Sequence, residues 1–152
     1  MDRPMIGIGI IIENEANQIL IGQRLGSHAD QAFSIPGGHL ELGETFEEAA
    51  IKEVLEETSM TIFDPKVICV TNNLRTYWSE QKHYISITLY TNRFEGVPKI
   101  MEPDRCASWQ WVDPRALPQP HFDASEFSVE CFLKQQFYIP NQAGAQLRAM
   151  QR

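Results

Sequence analysis

Three glutamates carry the most specific chemical signal in this chain. Glu53, Glu56 and Glu57 stand in the run Lys52-Glu53-Val54-Leu55-Glu56-Glu57. On a helix they fall at i, i+3 and i+4, so their carboxylates share one face. Like charges at i,i+4 destabilise an isolated helix by roughly 0.2–0.5 kcal/mol per pair. They also lie in its second half, where the dipole disfavours anions. A bound divalent cation is the natural compensation, because hard cations take several carboxylate oxygens at once. The chemistry these residues suit is therefore metal-assisted.

The surrounding residues supply a helix to hold them. Pro36-Gly37-Gly38 opens a loop, and Thr45 with Glu48 forms a T-x-x-E capping box. Glu47 and Glu48 suit the positive helix start. Phe46, Ala49, Ala50, Val54 and Ile51 offer a packing face, and the helix is expected from about Thr45 to Thr58. Ser59 occupies the C-cap position where glycine is usual, and a left-handed serine there costs on the order of 1 kcal/mol.

The spacing is more specific than the carboxylates alone. Gly38 is followed by five residues and Glu44, and seven more lead to Lys52-Glu53-Val54-x-Glu56-Glu57-x-Ser59-Met60. This resembles the box of the Nudix (MutT-like) hydrolases, with Lys52 in place of its Arg and Ser59 in place of its usual Gly. The plain alternative is a solvated acidic helix, which would have to match the glycine, the leading glutamate and the triplet by chance.

The resemblance implies an α/β fold, a Nudix-type α/β/α sandwich around a mixed β-sheet. It implies hydrolysis of a nucleoside diphosphate linked to another group. Glu53, Glu56 and Glu57 would hold Mg²⁺, or alternatively Mn²⁺, with the Gly38 carbonyl as a further ligand. One glutamate would take a proton from the attacking water. Glu44 would brace the loop. Lys52 would either orient a catalytic carboxylate or form an ordinary surface i,i+4 pair with Glu48 or Glu56.

Outside the box the resemblance is looser but extends to about Pro140. Val70-Thr71-Asn72-Asn73, His83-Tyr84 and Met101-Glu102-Pro103-Asp104-Arg105-Cys106-x-x-Trp109-x-Trp111 are similar to one branch, the small cytosolic nucleoside triphosphate diphosphatases. On that likeness Arg24 meets substrate phosphates or a surface carboxylate, and His39 reaches phosphate. Phe127 stacks a base or fills the core, with Ser128 beside it in the base pocket. Glu102 is a further carboxylate or a surface acid. Trp109 and Trp111 are core residues first, and His83 and Tyr84 belong to the sheet. The expected reaction converts a nucleoside triphosphate, oxidised or otherwise modified ones included, to monophosphate and pyrophosphate. Two alternatives stand beside it: a diphosphatase for NADH, ADP-ribose or a nucleotide sugar, and a non-catalytic nucleotide sensor. A homodimer accompanies the branch.

The chain as a whole sets limits. Its 152 residues suit one domain spanning 1–152, with a polar tail at 141–152 expected to fray. A net charge of −7 argues against polymeric nucleic acid and anionic membranes as partners. A small nucleotide remains compatible, because a metal neutralises it locally. Cys69, Cys106 and Cys131 form no paired-thiol motif, which suits free thiols in the cytoplasm. The apolar run from Met5 to Ile12 is too short to span a bilayer.

Within that run Ile6 to Ile12 reads as a buried strand, with a turn at residues 14–17 and a returning strand from Gln18 to Arg24. Gly7-x-Gly9 lacks the third glycine and the following helix of a dinucleotide fingerprint, so close packing or a bulge is expected there. Further strands are expected at Lys66 to Asn73, His83 to Thr91 and Ala107 to Val112, and a second helix from Ala124 to Phe137.

Overall fold

The structure, a computed structural model, describes residues 2–26 and 30–141. Most of the tail expected to fray, residues 142–152, lies outside the described residues. Strand β1 spans Met5–Ile12 and β2 spans Ile19–Arg24. In the turn between them Asn14 Oδ1 accepts the N–H groups of Ala16 at 3.0 Å and Gln18 at 2.9 Å. Two short strands follow, β3 (Phe33–Ser34) and β4 (Gly37–His39), then helix α1 (Phe46–Thr58). Next come β5 (Thr61–Ile62), β6 (Lys66–Asn72), a short helix α2 (Leu74–Glu80) and β7 (Tyr84–Thr91). The described chain closes with β8 (Phe94–Glu95), β9 (Cys106–Val112) and α3 (Asp123–Lys134).

The main sheet has the order β4-β1-β7-β6. It is mixed, because β1 and β7 run parallel while the other pairs are antiparallel. A second sheet has the order β3-β2-β9, and β5 pairs with β8. Alternation along β1 splits the core in two. Ile8, Ile10 and Ile12 pack with Ala49, Ala50 and Val54 of α1. Ile11, on the other face, joins the cluster that holds Val129 of α3. Each face of the sheet is thus covered by one helix, the α/β sandwich expected.

The ends of α1 follow local chemistry. Thr45 is the N-cap, and its hydroxyl accepts the Glu48 N–H at 3.0 Å. Ser59 is left-handed at φ 67, so the chain bears the cost of a serine at this cap. Buried Thr58 ties the end down, donating to the Val54 carbonyl at 2.6 Å and accepting from the Met60 N–H at 3.0 Å. Helix α3 stops at Lys134 rather than Phe137, because Gln135 turns left-handed at φ 54. Helix α2 and the short strands β3, β4, β5 and β8 were not expected from the periodicity. Each has seven residues or fewer, too few to carry a pattern. No helix among the described residues is long and apolar enough to cross a membrane, and all three cysteines are free thiols.

Candidate active site

The loop into α1 is built on two glycines that admit no side chain. A Cβ at Gly37 would overlap the Ile8 carbonyl oxygen of β1. A Cβ at Gly38 would overlap the Glu53 carboxyl group. Glu53 therefore lies directly against β4. One helical turn later, the Glu57 carboxylate accepts the Gly37 N–H. Strand β4 and helix α1 thus bring two carboxylates to the edge of the main sheet, and Glu56 lines the same cleft.

Electrostatics mark this edge as short of positive charge. Burial pushes the Glu57 carboxyl up to about 8, and the neighbouring Glu53 and Glu102 add to the rise. The Gly37 N–H and the Arg24 guanidinium pull the other way without cancelling it. Glu53 is also raised, first by burial and then by Glu56 and Glu102, with Lys52 opposing. Glu102 comes from the loop before β9, far away in sequence, yet its charge is felt by both helix glutamates.

The cleft that begins at these carboxylates has a volume of about 780 Å³. Arg24 and His39 both line it. The Arg24 guanidinium lies 4.4 Å from the centre of the Phe122 ring, and burial lowers its pKa while Glu57 raises it. His39 stacks on Tyr84 at 5.3 Å between ring centroids. Ser128 is also on the wall, its hydroxyl 2.7 Å from that of Thr88.

Two expectations need correction. Phe127 is not among the residues lining the cleft. Helix α3 turns Ala124, Ser125 and Ser128 toward it, and Phe127 sits roughly 100° around the axis from their mean direction. The aromatic at that wall is Phe122, the residue before α3, held by its N–H to the Phe33 carbonyl at 2.8 Å. Lys52 does not pair with Glu56 or Glu48. Its ammonium lies 2.7 Å from Glu44 and 3.4 Å from Glu41. Glu44 uses its other oxygen to accept the Glu41 N–H at 2.8 Å. Contact with Lys52 is the main reason the Glu44 carboxyl is held below its ordinary value. The bracing role expected of Glu44 fits this geometry, with Lys52 as the strut that ties the loop to α1.

The remaining wall was only partly legible. Thr76 and Ser86 line the cleft without a sequence motif to mark them, and Asn73 and Arg105 line it from stretches that carried the looser resemblance without a role assigned to either. Trp109 lines it too while packing on the first core cluster. Glu102, expected as a further carboxylate or a surface acid, lines the cleft, and so do Gly7 and Gly9, for which close packing or a bulge was expected.

No three His, Cys, Asp or Glu side chains among the described residues close into a ready metal cage. The donor chemistry nevertheless fits a hard divalent cation. The donors are carboxylate oxygens, two of them raised by burial and mutual repulsion, which is the need such an ion meets.

Comparison with known proteins agrees with this arrangement. The sequence model of the NUDIX domain matches residues 3–131. The chain is 32% identical over 124 residues to the ADP-ribose pyrophosphatase of Methanocaldococcus jannaschii, a match covering 79% of this chain and 68% of that protein. It is 33% identical over 99 residues to the 8-oxo-dGTP diphosphatase of Escherichia coli, covering 64% of this chain and 73% of that protein. The crystal structure of a MutT NUDIX hydrolase from Burkholderia pseudomallei superposes with a TM-score of 0.78 at 26% identity, covering 85% of this chain and 98% of that one.

Proposed function

The chain belongs to the Nudix hydrolase family, and we propose that it converts nucleoside triphosphates, modified ones included, to nucleoside monophosphate and pyrophosphate. The observation that carries this reading is the gathering of Glu53, Glu56, Glu57 and Glu102 on the wall of one cleft. Neutral hydroxyls and amides, among them Ser86, Asn73 and Ser128, line the same cleft. Phosphates suit the carboxylates once a cation is present, and a nucleoside suits the neutral groups.

Glu53, Glu56 and Glu57 would hold the divalent cation, Mg²⁺ by preference, with the Gly38 carbonyl beside them. When bound, the cation supplies Lewis acidity that stabilises charge on the phosphoryl oxygens. The residues of the chain do the rest. The Gly37 N–H fixes the Glu57 carboxylate. Water attacks phosphorus, a carboxylate of the cluster takes its proton, and the bridging P–O bond breaks to release pyrophosphate. Arg24, beside Glu57 in charge and over Phe122 in space, would steady the phosphates. His39 would reach the same phosphates from β4.

The relative named 8-oxo-dGTP diphosphatase supports a triphosphate substrate. The relative named ADP-ribose pyrophosphatase favours the second reading, a diphosphatase for a dinucleotide or nucleotide sugar. The intact carboxylate set stands against a sensor without turnover. A cytoplasmic homodimer is carried forward from the branch resemblance, with sedimentation velocity as its measure.

The deciding experiment is phosphorus NMR of product mixtures. The panel holds canonical and oxidised nucleoside triphosphates, NADH, ADP-ribose and sugar nucleotides, each with Mg²⁺ and with chelator. Monophosphate plus pyrophosphate from a triphosphate is expected. Inorganic phosphate with a diphosphate left behind would contradict the proposal, and faster turnover of ADP-ribose would replace it with the second reading.

A further inference from the structure

Strands β3 and β4 lie in different sheets, and only Ile35 and Pro36 separate them. The chain therefore changes sheets within two residues, where the strand ladders cannot take every backbone group. A buried backbone group without a partner is costly, so each is met individually. The Pro36 carbonyl accepts the Ile10 N–H of β1 at 2.9 Å. The Gly37 N–H goes to the Glu57 carboxylate of α1. The Ile35 N–H goes to Ser125 Oγ of α3 at 2.9 Å, 90 residues away in sequence. One side chain from each of the two helices that cover the main sheet thus sets this crossover.

Ser125 is itself held in place. The Pro118 carbonyl only accepts, so His121 Nδ1, 3.3 Å from it, carries the proton of the neutral ring. His121 Nε2 is then an acceptor, and the Ser125 hydroxyl donates to it at 2.8 Å. The segment that bears His121 is pinned to the same stretch of chain. Phe33 N–H donates to the Pro120 carbonyl and Phe122 N–H donates to the Phe33 carbonyl, both at 2.8 Å. Ser125 is 3% exposed and Ile35 8%, so solvent offers the Ile35 N–H little alternative.

We propose that Ser125 is a positioning residue for the carboxylate site: from α3 it fixes Ile35, and through Pro36 it fixes the Gly37 N–H on which Glu57 rests. The inference rests on the role given to Glu57 above and adds the element that holds it. Pro36 makes the link stiff, because its ring locks φ near about −65°. A shift at Ile35 is therefore passed on to Gly37 rather than absorbed. Gly38, next in the chain, lies against the Glu53 carboxyl group, so the same shift reaches a second glutamate. Ser125 acts through the loop, and a misplacement of about 1 Å in such a site can cost roughly 100-fold in rate.

Amide hydrogen exchange followed by NMR tests this on the metal-free protein. In the parent, the Ile35 and Gly37 amides should exchange through one opening, with protection factors within about threefold of each other. Ser125→Ala should speed exchange at Gly37 by about tenfold or more. The control is Ile62→Val, a truncation in the first core cluster at β5 that should lower Tm by a similar few degrees. There Gly37 should move no more than the amides of β1. With the fastest-turning nucleotide, Ser125→Ala should raise the half-saturating Mg²⁺ concentration about fivefold or more and lower kcat about tenfold, while KM at saturating Mg²⁺ stays within about threefold. Gly37 opening while Ile35 stays protected overturns the proposal. So does a rise in KM alone, which would make Ser125 a substrate contact, or equal losses in Ile62→Val, which would reduce the effect to stability. If Ser125→Ala does not fold, the two amides of the parent decide. A parent that turns over no nucleotide, or a Glu57→Gln protein with full turnover, overturns the catalytic reading. The exchange result on the metal-free protein then decides by itself whether Ser125 holds Gly37.

Discussion

The Lys52 ammonium sits 2.7 Å from Glu44 and so belongs to the loop before α1, not to the carboxylate face one turn further along. The pair joins the glycine-bearing loop to the helix that presents Glu53, Glu56 and Glu57. Lysine meets this need as a point charge, and a planar guanidinium is not required.

If the pair acts as a brace, Lys52→Ala and Glu44→Gln should lower kcat by similar factors, about threefold to tenfold, and the double variant should be little worse than either. The side chains keep 31% and 16% of their exposure, so solvent still screens the pair and Tm should move little. Additive losses in the double-mutant cycle would show that the two residues act separately.

Glu57 is the most perturbed of the carboxylates. Glu57→Gln should cut kcat by at least about 100-fold, because cation stabilisation of developing charge is worth several kcal/mol. Without added metal the variant should be as stable as the parent or more so, since a buried carboxyl near Glu53 is replaced by a neutral amide. Near-parental turnover would remove Glu57 from the proposed machinery.

The two loop glycines should fail in different ways. Gly37→Ala forces a methyl onto the β1 backbone at Ile8, so it should destabilise the fold by about 1–3 kcal/mol in denaturant titration. Gly38→Ala meets the Glu53 carboxyl, a side chain that can swing aside. It should stay folded and lose about 100-fold in kcat, because a proposed cation ligand is displaced. A Gly38→Ala protein with full activity would disconnect Glu53 contact from catalysis.

His121 lies at the wall of α3, its Nε2 2.8 Å from Ser125 Oγ, and that hydroxyl accepts the Ile35 N–H at 2.9 Å. Burial lowers its pKa below 6.5, with the Pro118 carbonyl opposing. The unfolded chain therefore binds a proton near pH 6.5 that the folded chain does not. Stability contributed by neutral His121 is complete above pH 6.5 and is lost as pH falls below it, toward the folded value. His121→Gln should flatten that part of the pH–stability curve in urea titrations between about pH 7 and 5. Parallel curves for parent and variant would contradict the assignment.

Helix α1 was legible before any coordinates because its determinants are local. The Thr45 cap, the i, i+3, i+4 spacing of the glutamates and the stop at Ser59 lie within a few residues of the groups they govern. The long strands β1, β2, β6, β7 and β9 announced themselves by apolar runs, and the box spacing pointed to the family. Tertiary structure decided the rest. Lys52 had several acidic neighbours at helical spacing, and only the path of the loop set it on Glu44. Phe122 rather than Phe127 faces the cleft because its N–H is tied to β3 and the phase of α3 follows from that anchor. Glu102 reaches Glu53 and Glu57 only once β9 closes against β2. Gly7 lines the cleft between His39 and Ser86 only because β1 lies between β4 and β7 in this register. A helix face is set by residues three and four apart, whereas a cleft is set by which strands become neighbours, and that pairing depends on the packing of the whole chain.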